Sequence, residues 1–249
     1  MHKALNRTLI ALFASWVLLS PRTAAWAIEP EDKVGNWIGA TSTLRYSERW
    51  SIFLQGELRT WEPLHNVNEV LWRVAGHYDF SKKYMVAFGY VRVDTWPYEA
   101  SGLGKFDENR IFQEFLIKPT WGKAKVNHRF RLEQRWITTP ESGTQYSNRV
   151  RYMLGFTWLL NGEKMKPGTW FAKTFNEVFV DLDEMGYWFN PGQGEAGLNQ
   201  NRLYGGVGKQ LTSSSKLQLG VLWQHRPDTD FWRLLISYSH NFKLRTEEK

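Results

Sequence analysis

A period of two runs through this chain. It is cleanest from Arg149 to Trp158, where Val150, Tyr152, Leu154, Phe156 and Trp158 fall on one face and Arg149, Arg151, Met153, Gly155 and Thr157 on the other. Successive side chains of an extended strand point to opposite sides of a sheet, whereas a helix would scatter these apolar residues round its axis. The same rule sets Trp50, Ile52, Leu54 and Leu58 against Ser51, Gln55, Glu57 and Arg59. It sets Val70, Trp72, Val74, Tyr78 and Phe80 against Arg73, His77 and Asp79. Near the C-terminus, Leu217, Leu219, Val221 and Trp223 oppose Lys216, Gln218, Gly220 and Gln224, and Trp232, Leu234, Ile236, Tyr238 and Phe242 oppose Arg233, Ser237, Ser239 and Asn241. Less regular strands are expected near 36–46, 84–96, 108–119, 126–137, 169–181 and 198–211. No helical segment of consequence and no domain-scale linker is visible.

Composition removes several alternatives. The 249 residues include no Cys, which excludes a disulfide framework and a thiolate metal site. A mean hydropathy of −0.48 with 23% charged residues excludes a bundle of membrane helices, each of which needs about 20 apolar residues. With 16% aromatics, disorder is excluded as well. The one long apolar stretch is N-terminal: Lys3 and Arg7 precede Thr8 to Leu19, and Ala25-Trp26-Ala27 follows. Residues 1–27 therefore read as a cleavable signal peptide, and 28–249 as a single β-domain. Loss of Lys3, Arg7 and Arg22 would lower the net charge from +7 to +4. With no concentrated basic face, nucleic acid is not an expected partner.

The connections carry a second pattern. Short ones are expected near 47–48, 81–83, 119–124, 161–168 and 212–215, and long ones near 62–68, 97–107, 138–147, 182–197 and 226–230. Lysines gather at the short set (Lys82, Lys83, Lys123, Lys125, Lys164, Lys166) and acids at the long set (Glu62, Asp107, Glu141, Asp183, Glu184, Glu195, Asp228). Meander barrels of the outer membrane alternate tight periplasmic turns with longer external loops in this way. A soluble lipocalin-like barrel has the same strand period with the apolar face inward. Aromatics near the strand ends favour the membrane form: Trp50, Phe80, Trp158, Trp223, Trp232 and Phe242 suit an interfacial girdle. The expected fold is all-β, an antiparallel up-and-down transmembrane β-barrel. Eleven segments are visible, but single-chain bacterial barrels have an even number of strands. Twelve are therefore expected, with ten the next choice and the missing strand sought at 28–36 or 182–197.

An early Trp is followed by Arg49-Trp50-Ser51 and Glu57-Leu58-Arg59. Further on come Arg131-Leu132-Glu133-Gln134-Arg135, Arg149-Val150-Arg151-Tyr152, Asn176-Glu177 and Asn199-Gln200-Asn201-Arg202-Leu203-Tyr204-Gly205-Gly206. Across most of the mature chain these stretches resemble the uncharacterised outer-membrane β-barrel family called domain of unknown function 2490. The resemblance implies a barrel in the outer membrane of a Gram-negative bacterium, in contact with outer-membrane lipid and lipopolysaccharide. Insertion by the barrel-assembly machinery would follow. It implies no catalytic residue.

The polar face offers one constellation, a lumen charge ladder of Glu57, Arg59, Arg73, Glu133, Arg135, Arg149, Arg151, Glu177 and Arg202. Glu114, Arg110 and Arg131 are further partners. Glu57/Arg59 and Glu133/Arg135 stand two apart and share a face. The plain reading is a set of ion pairs lining a polar lumen. The functional reading is a charged constriction that selects solutes, leaning to anions because Arg is in excess. The expected role is a small solute channel or a structural envelope protein. The alternatives are an outer-membrane lipid-modifying enzyme and a soluble periplasmic ligand-binding barrel. Ser239 and His240 point to opposite faces and cannot pair as nucleophile and base, and His77 with Asp79 lacks a Ser. Asp181, Asp183 and Glu184 are dense but match no calcium loop. Gly192-Gln193-Gly194 and Gly205-Gly206-x-Gly208 lack the strand-to-helix context of a phosphate loop. No metal and no cofactor is expected.

Overall fold

The computed structural model describes residues 34–98, 104–183, 196–227 and 229–243. Residues 1–27, expected to be a signal peptide, together with Glu184, the run Gly192 to Gly194, Glu195 and Asp228, lie outside the described residues. Twelve strand segments follow one another: β1 (Val34–Arg45), β2 (Trp50–Glu62), β3 (His65–Asp79), β4 (Tyr84–Thr95), β5 (Phe106–Ile117), β6 (Thr120–Trp121), β7 (Ala124–Thr139), β8 (Gly143–Leu159), β9 (Trp170–Asp181), β10 (Gly197–Gln210), β11 (Ser215–Arg226) and β12 (Thr229–Lys243). Among the described residues there is no helix.

Neighbouring strands pair in chain order, except that the two-residue β6 folds back on β7 outside the wall and β5 pairs directly with β7. β12 then pairs with β1, and the ring closes with eleven strands. The expectation of twelve, with ten next, is thus corrected to eleven plus one outside strand. The expectation of an antiparallel barrel is corrected to a mixed one. All other wall pairs are antiparallel, but β1 and β12 run parallel, from Val34 opposite Trp232 to Arg45 opposite Lys243. The reason is topological. A meander of eleven strands starts and ends in the same direction, so its first and last strands can meet only in parallel. Parallel pairing is slightly weaker per residue, and here it is extended over the whole of β1. The start of β1 and the end of β12 consequently lie at opposite ends of the barrel.

The alternation of connection lengths is also corrected. We call the end carrying the β4–β5 and β9–β10 connections the upper end. There, β2 and β3 are joined only by Pro63 and Leu64, β7 and β8 by residues 140–142, and β11 and β12 by 227–228. At the lower end the β8–β9 connection runs 160–169, as long as the upper 96–105. The strands outlast their hydrophobic alternation, because ladder hydrogen bonds continue where neither face needs an apolar residue. Leu64, with φ at 60°, closes the β2–β3 hairpin in a conformation few would assign to leucine.

Alternate residues separate an inner from an outer surface. On β8, Ser147, Arg149, Arg151 and Met153 are buried, while Tyr146, Val150 and Trp158 are exposed. The inner surface is not uniformly polar. β4 contributes buried Met85 and also Ala87, Val91 and Val93, of which the last three pack with Leu71, Ala75 and Phe112 in one apolar cluster. Trp37, Tyr204 and Leu222 form another near the parallel seam, with Phe175 and Leu235 against it. The Tyr204 ring lies flat on the wall because its neighbours are glycines. A Cβ at Gly220 would come 2.5 Å from Tyr204 Cε2 and 2.6 Å from the Gly205 carbonyl oxygen. Gly205 faces outward into open space. Gly220→Val is therefore expected to destabilise the barrel by about 1–3 kcal/mol or more through overpacking. Gly205→Ala should stay within about 0.5 kcal/mol. Urea unfolding followed by tryptophan fluorescence compares the two.

Candidate functional site

The nine ladder residues all lie on inward faces, and cross-strand register decides which of them meet. Directly opposed residues on neighbouring strands hold their Cβ atoms about 4.5–5.5 Å apart. Register places Arg131 opposite both Glu114 and Arg151, and Glu133 opposite Arg149. Glu133 becomes the hub. It is 0% exposed, and its Oε2 accepts from Arg149 Nε at 2.9 Å and Nη2 at 2.6 Å. Its Oε1 accepts from Arg151 Nη1 at 2.7 Å and Arg131 Nη1 at 3.4 Å. Arg151 continues to Glu177, donating from Nε at 2.9 Å, and Arg129 shares that carboxylate. Arg131 continues to Glu114 from Nε at 2.7 Å. Above this layer Arg110 donates to Glu108 at 2.6 Å, and Arg135 joins Glu108 and reaches Asp181 at 3.4 Å. A second group on β2 and β3 links Glu57, Arg59 and Glu69, with Arg59 Nε donating to Glu57 at 2.6 Å and Gln55 donating to the same carboxylate at 3.0 Å.

Two phenylalanines carry the arginines. Arg131 lies 4.5 Å from the Phe112 ring centre, and Arg151 and Arg202 lie 4.2 and 4.6 Å from Phe179. Stacking leaves the guanidinium edges free to hold carboxylates, and a cation over a ring face is itself attracted. Arg73 stands over Phe112 at 5.7 Å, with its Nε unpartnered. At the upper rim Trp61 Nε1 donates to the Trp96 carbonyl at 2.9 Å, and the Tyr98 hydroxyl donates to Glu62 at 3.1 Å. That bond holds the Glu62 carboxyl below the usual carboxylate range.

The i, i+2 spacing succeeds and fails within one network. Glu57 and Arg59 pair, but Glu133 and Arg135 do not. Each is drawn to partners on neighbouring strands instead. Glu108-x-Arg110 carries the same spacing and forms a pair, so its signal was in the sequence. Glu69 and Asp181 had none. Asp181, grouped in the sequence with loop acids, is buried inside the barrel, and Asp183 instead caps the Asn148 backbone N–H at 2.6 Å. His77 stacks on Phe53, and Asp79 is taken by Arg45 and Lys118. Ser239 accepts from Thr41, and His240 packs against Phe242 on the other face. Of the girdle residues, Trp50, Phe80, Trp158 and Phe242 stand exposed at the lower end. Trp232 stands exposed at the upper end, opposite Trp223. Among the described residues no group of three or more His, Asp or Glu could hold a metal ion.

The pattern of the family described as protein of unknown function (DUF2490) matches residues 34–234, and the chain belongs to that family. No curated protein and no solved structure matches. The network makes its hub the costliest place to disturb. Glu133→Gln leaves three buried guanidiniums without their shared charge, and removing one partner of a buried ion pair costs about 3–5 kcal/mol. The expected result is an unfolding midpoint lowered to match, with the far smaller change of a surface substitution at Glu163→Gln as the control.

Proposed function

We propose that this DUF2490 protein is an integral outer-membrane β-barrel whose lumen is shut at rest and leans toward anions. One contrast carries the reading. Mid-wall Trp72 and Phe88 are each 61% exposed on the outside, while Glu133 inside is wholly enclosed. Soluble proteins rarely expose apolar patches beyond a few hundred Å², and a soluble barrel that binds apolar ligands turns its apolar face inward. A bilayer supplies the missing cover. The exposed aromatics toward the two ends then fall at headgroup depth. Export by the N-terminal signal and residence among lipopolysaccharide follow from the same reading.

The lumen argues against free diffusion. Glu133 is wholly buried, and Arg131, Arg149 and Arg151 are nearly as enclosed. The layer they form spans β5, β7, β8 and β9, so a solute passes only if it parts these pairs. Arginine in excess over carboxylate sets the preferred sign of such a solute. A purely structural envelope role is the second reading, favoured by the sealed parallel seam and the apolar clusters inside. An enzyme finds no support in the pairings of His77, Ser239 and His240, since a nucleophile needs a base in reach.

Two measurements test the reading. Brominated phospholipids are expected to quench the tryptophan fluorescence of the refolded chain, and absence of quenching would sink the membrane assignment. In a planar bilayer the wild type is expected to be silent or to open rarely. Glu133→Gln should open more often, with reversal potentials favouring anions. Large steady steps from the wild type would overturn the closed lumen, and cation preference would overturn its sign.

A further inference from the structure

Positive charge in the interior is unevenly balanced. Arg202 on β10, Arg226 on β11 and Arg233 on β12 stand on three consecutive strands toward the upper end, and among the described residues none has a carboxylate partner. Their partners are neutral. With the amides turned oxygen-first, Gln200 accepts from Arg202 Nη2 at 3.1 Å, and Gln224 accepts from Arg226 Nε at 2.9 Å and Nη2 at 3.0 Å. Arg233 is 3% exposed, reaches only the Trp61 carbonyl at 3.5 Å, and leaves its Nε with no partner. Arg226 and Arg233 share one aromatic neighbour, Phe231. Glu69 on β3 is already held by Arg59.

Aromatic rings back these guanidiniums. Phe231 lies 4.6 Å from Arg233 and 5.8 Å from Arg226, and Trp61 lies 5.7 Å from Arg233. Arg202 has Trp37 at 4.7 Å and Phe179 at 4.6 Å. A guanidinium stacked on a ring keeps its N–H edge free, and that edge matches the paired oxygens of a phosphate or carboxylate. Buried charges are costly unless paired. The described wall brings no carboxylate into an ion pair with any of the three, and it leaves Arg233 Nε unfilled.

We propose that the upper mouth is an oxyanion site, in which a phosphate or a small phosphate monoester sits against Arg226 and Arg233, flanked by Arg202, and supplies the missing countercharge. The site faces the interior, on the side of the wall away from a surrounding bilayer. The ligand is therefore soluble. This deepens the anion-leaning lumen and rests on that reading of the interior. Conductance tests passage and the titration below tests binding, so failure of one is distinguishable from failure of the other.

The refolded full chain in detergent is titrated with inorganic phosphate, followed by tryptophan fluorescence and the thermal midpoint. Sodium chloride at matched ionic strength is the reference. A saturable change specific to phosphate is expected. Arg226→Gln and Arg233→Gln should each weaken it by about tenfold or more, the loss of one charge-assisted pair. Arg92→Gln, on the outer wall beside Asp94 and Asp107, should bind as the wild type does. If Arg233→Gln does not fold, Arg226→Gln at the half-exposed rim carries the test. A second arm with glycerol 3-phosphate tells a monoester from free phosphate by which of the two binds more tightly. No saturable response, an equal response to chloride, or unchanged binding by Arg226→Gln would overturn the site.

Discussion

One carboxylate organises the interior. Glu133 holds Arg131, Arg149 and Arg151 at once, and those arginines pass the connection to Glu114 and Glu177. A single buried pair adds little stability, because desolvation offsets attraction. The arrangement here differs in that each carboxylate is shared, each guanidinium uses several donors, and aromatic rings occupy the faces that cannot hydrogen-bond. Within such a network no member can be neutralised without stranding its neighbours. The same network lines the β5 to β9 side of the interior, and on the reading proposed above the feature that makes charge tolerable inside also closes the lumen.

The ring around this layer is set by an odd strand number. Eleven strands force one parallel seam, and the apolar cluster of Trp37, Tyr204 and Leu222 lies beside it. Parallel pairing is the weaker ladder, and it is reinforced on the inner side by packing that glycines at 206 and 220 make room for. The charged layer belongs to the opposite wall, on β5 to β9. The interior thus carries one apolar cluster beside the seam and another on β3 to β5, with ion pairs on β2 and β3 and on β5 to β9. Arg202, Arg226 and Arg233, which form no ion pair among the described residues, stand on β10 to β12 toward the upper rim.

Much of this was written in the period of the chain. Residues two apart must share a face, so the alternation at Arg149 to Trp158 placed arginines together before any fold was known. It also counted eleven segments correctly. The general preference for even barrels then argued for a twelfth, because nothing in one sequence says whether the closing pair is parallel or antiparallel. Turn lengths misled for a related reason. Hydrophobic alternation ends where burial ends, whereas β2, β3 and β8 continue by hydrogen bonding alone.

The sequence by itself determined the strands, their two unlike faces and the stock of interior charge, since these depend only on the geometry of extended backbone. Tertiary structure alone decided the partners. Glu133 leaves Arg135 for Arg149 and Arg151, Asp181 moves from a loop cluster to the interior, and Arg202, Arg226 and Arg233 fall on three consecutive strands with no ion pair among the described residues. Each outcome follows from which strands lie side by side and at what register. Register is a property of the closed ring, set by all eleven strands at once, and no local stretch of residues encodes it.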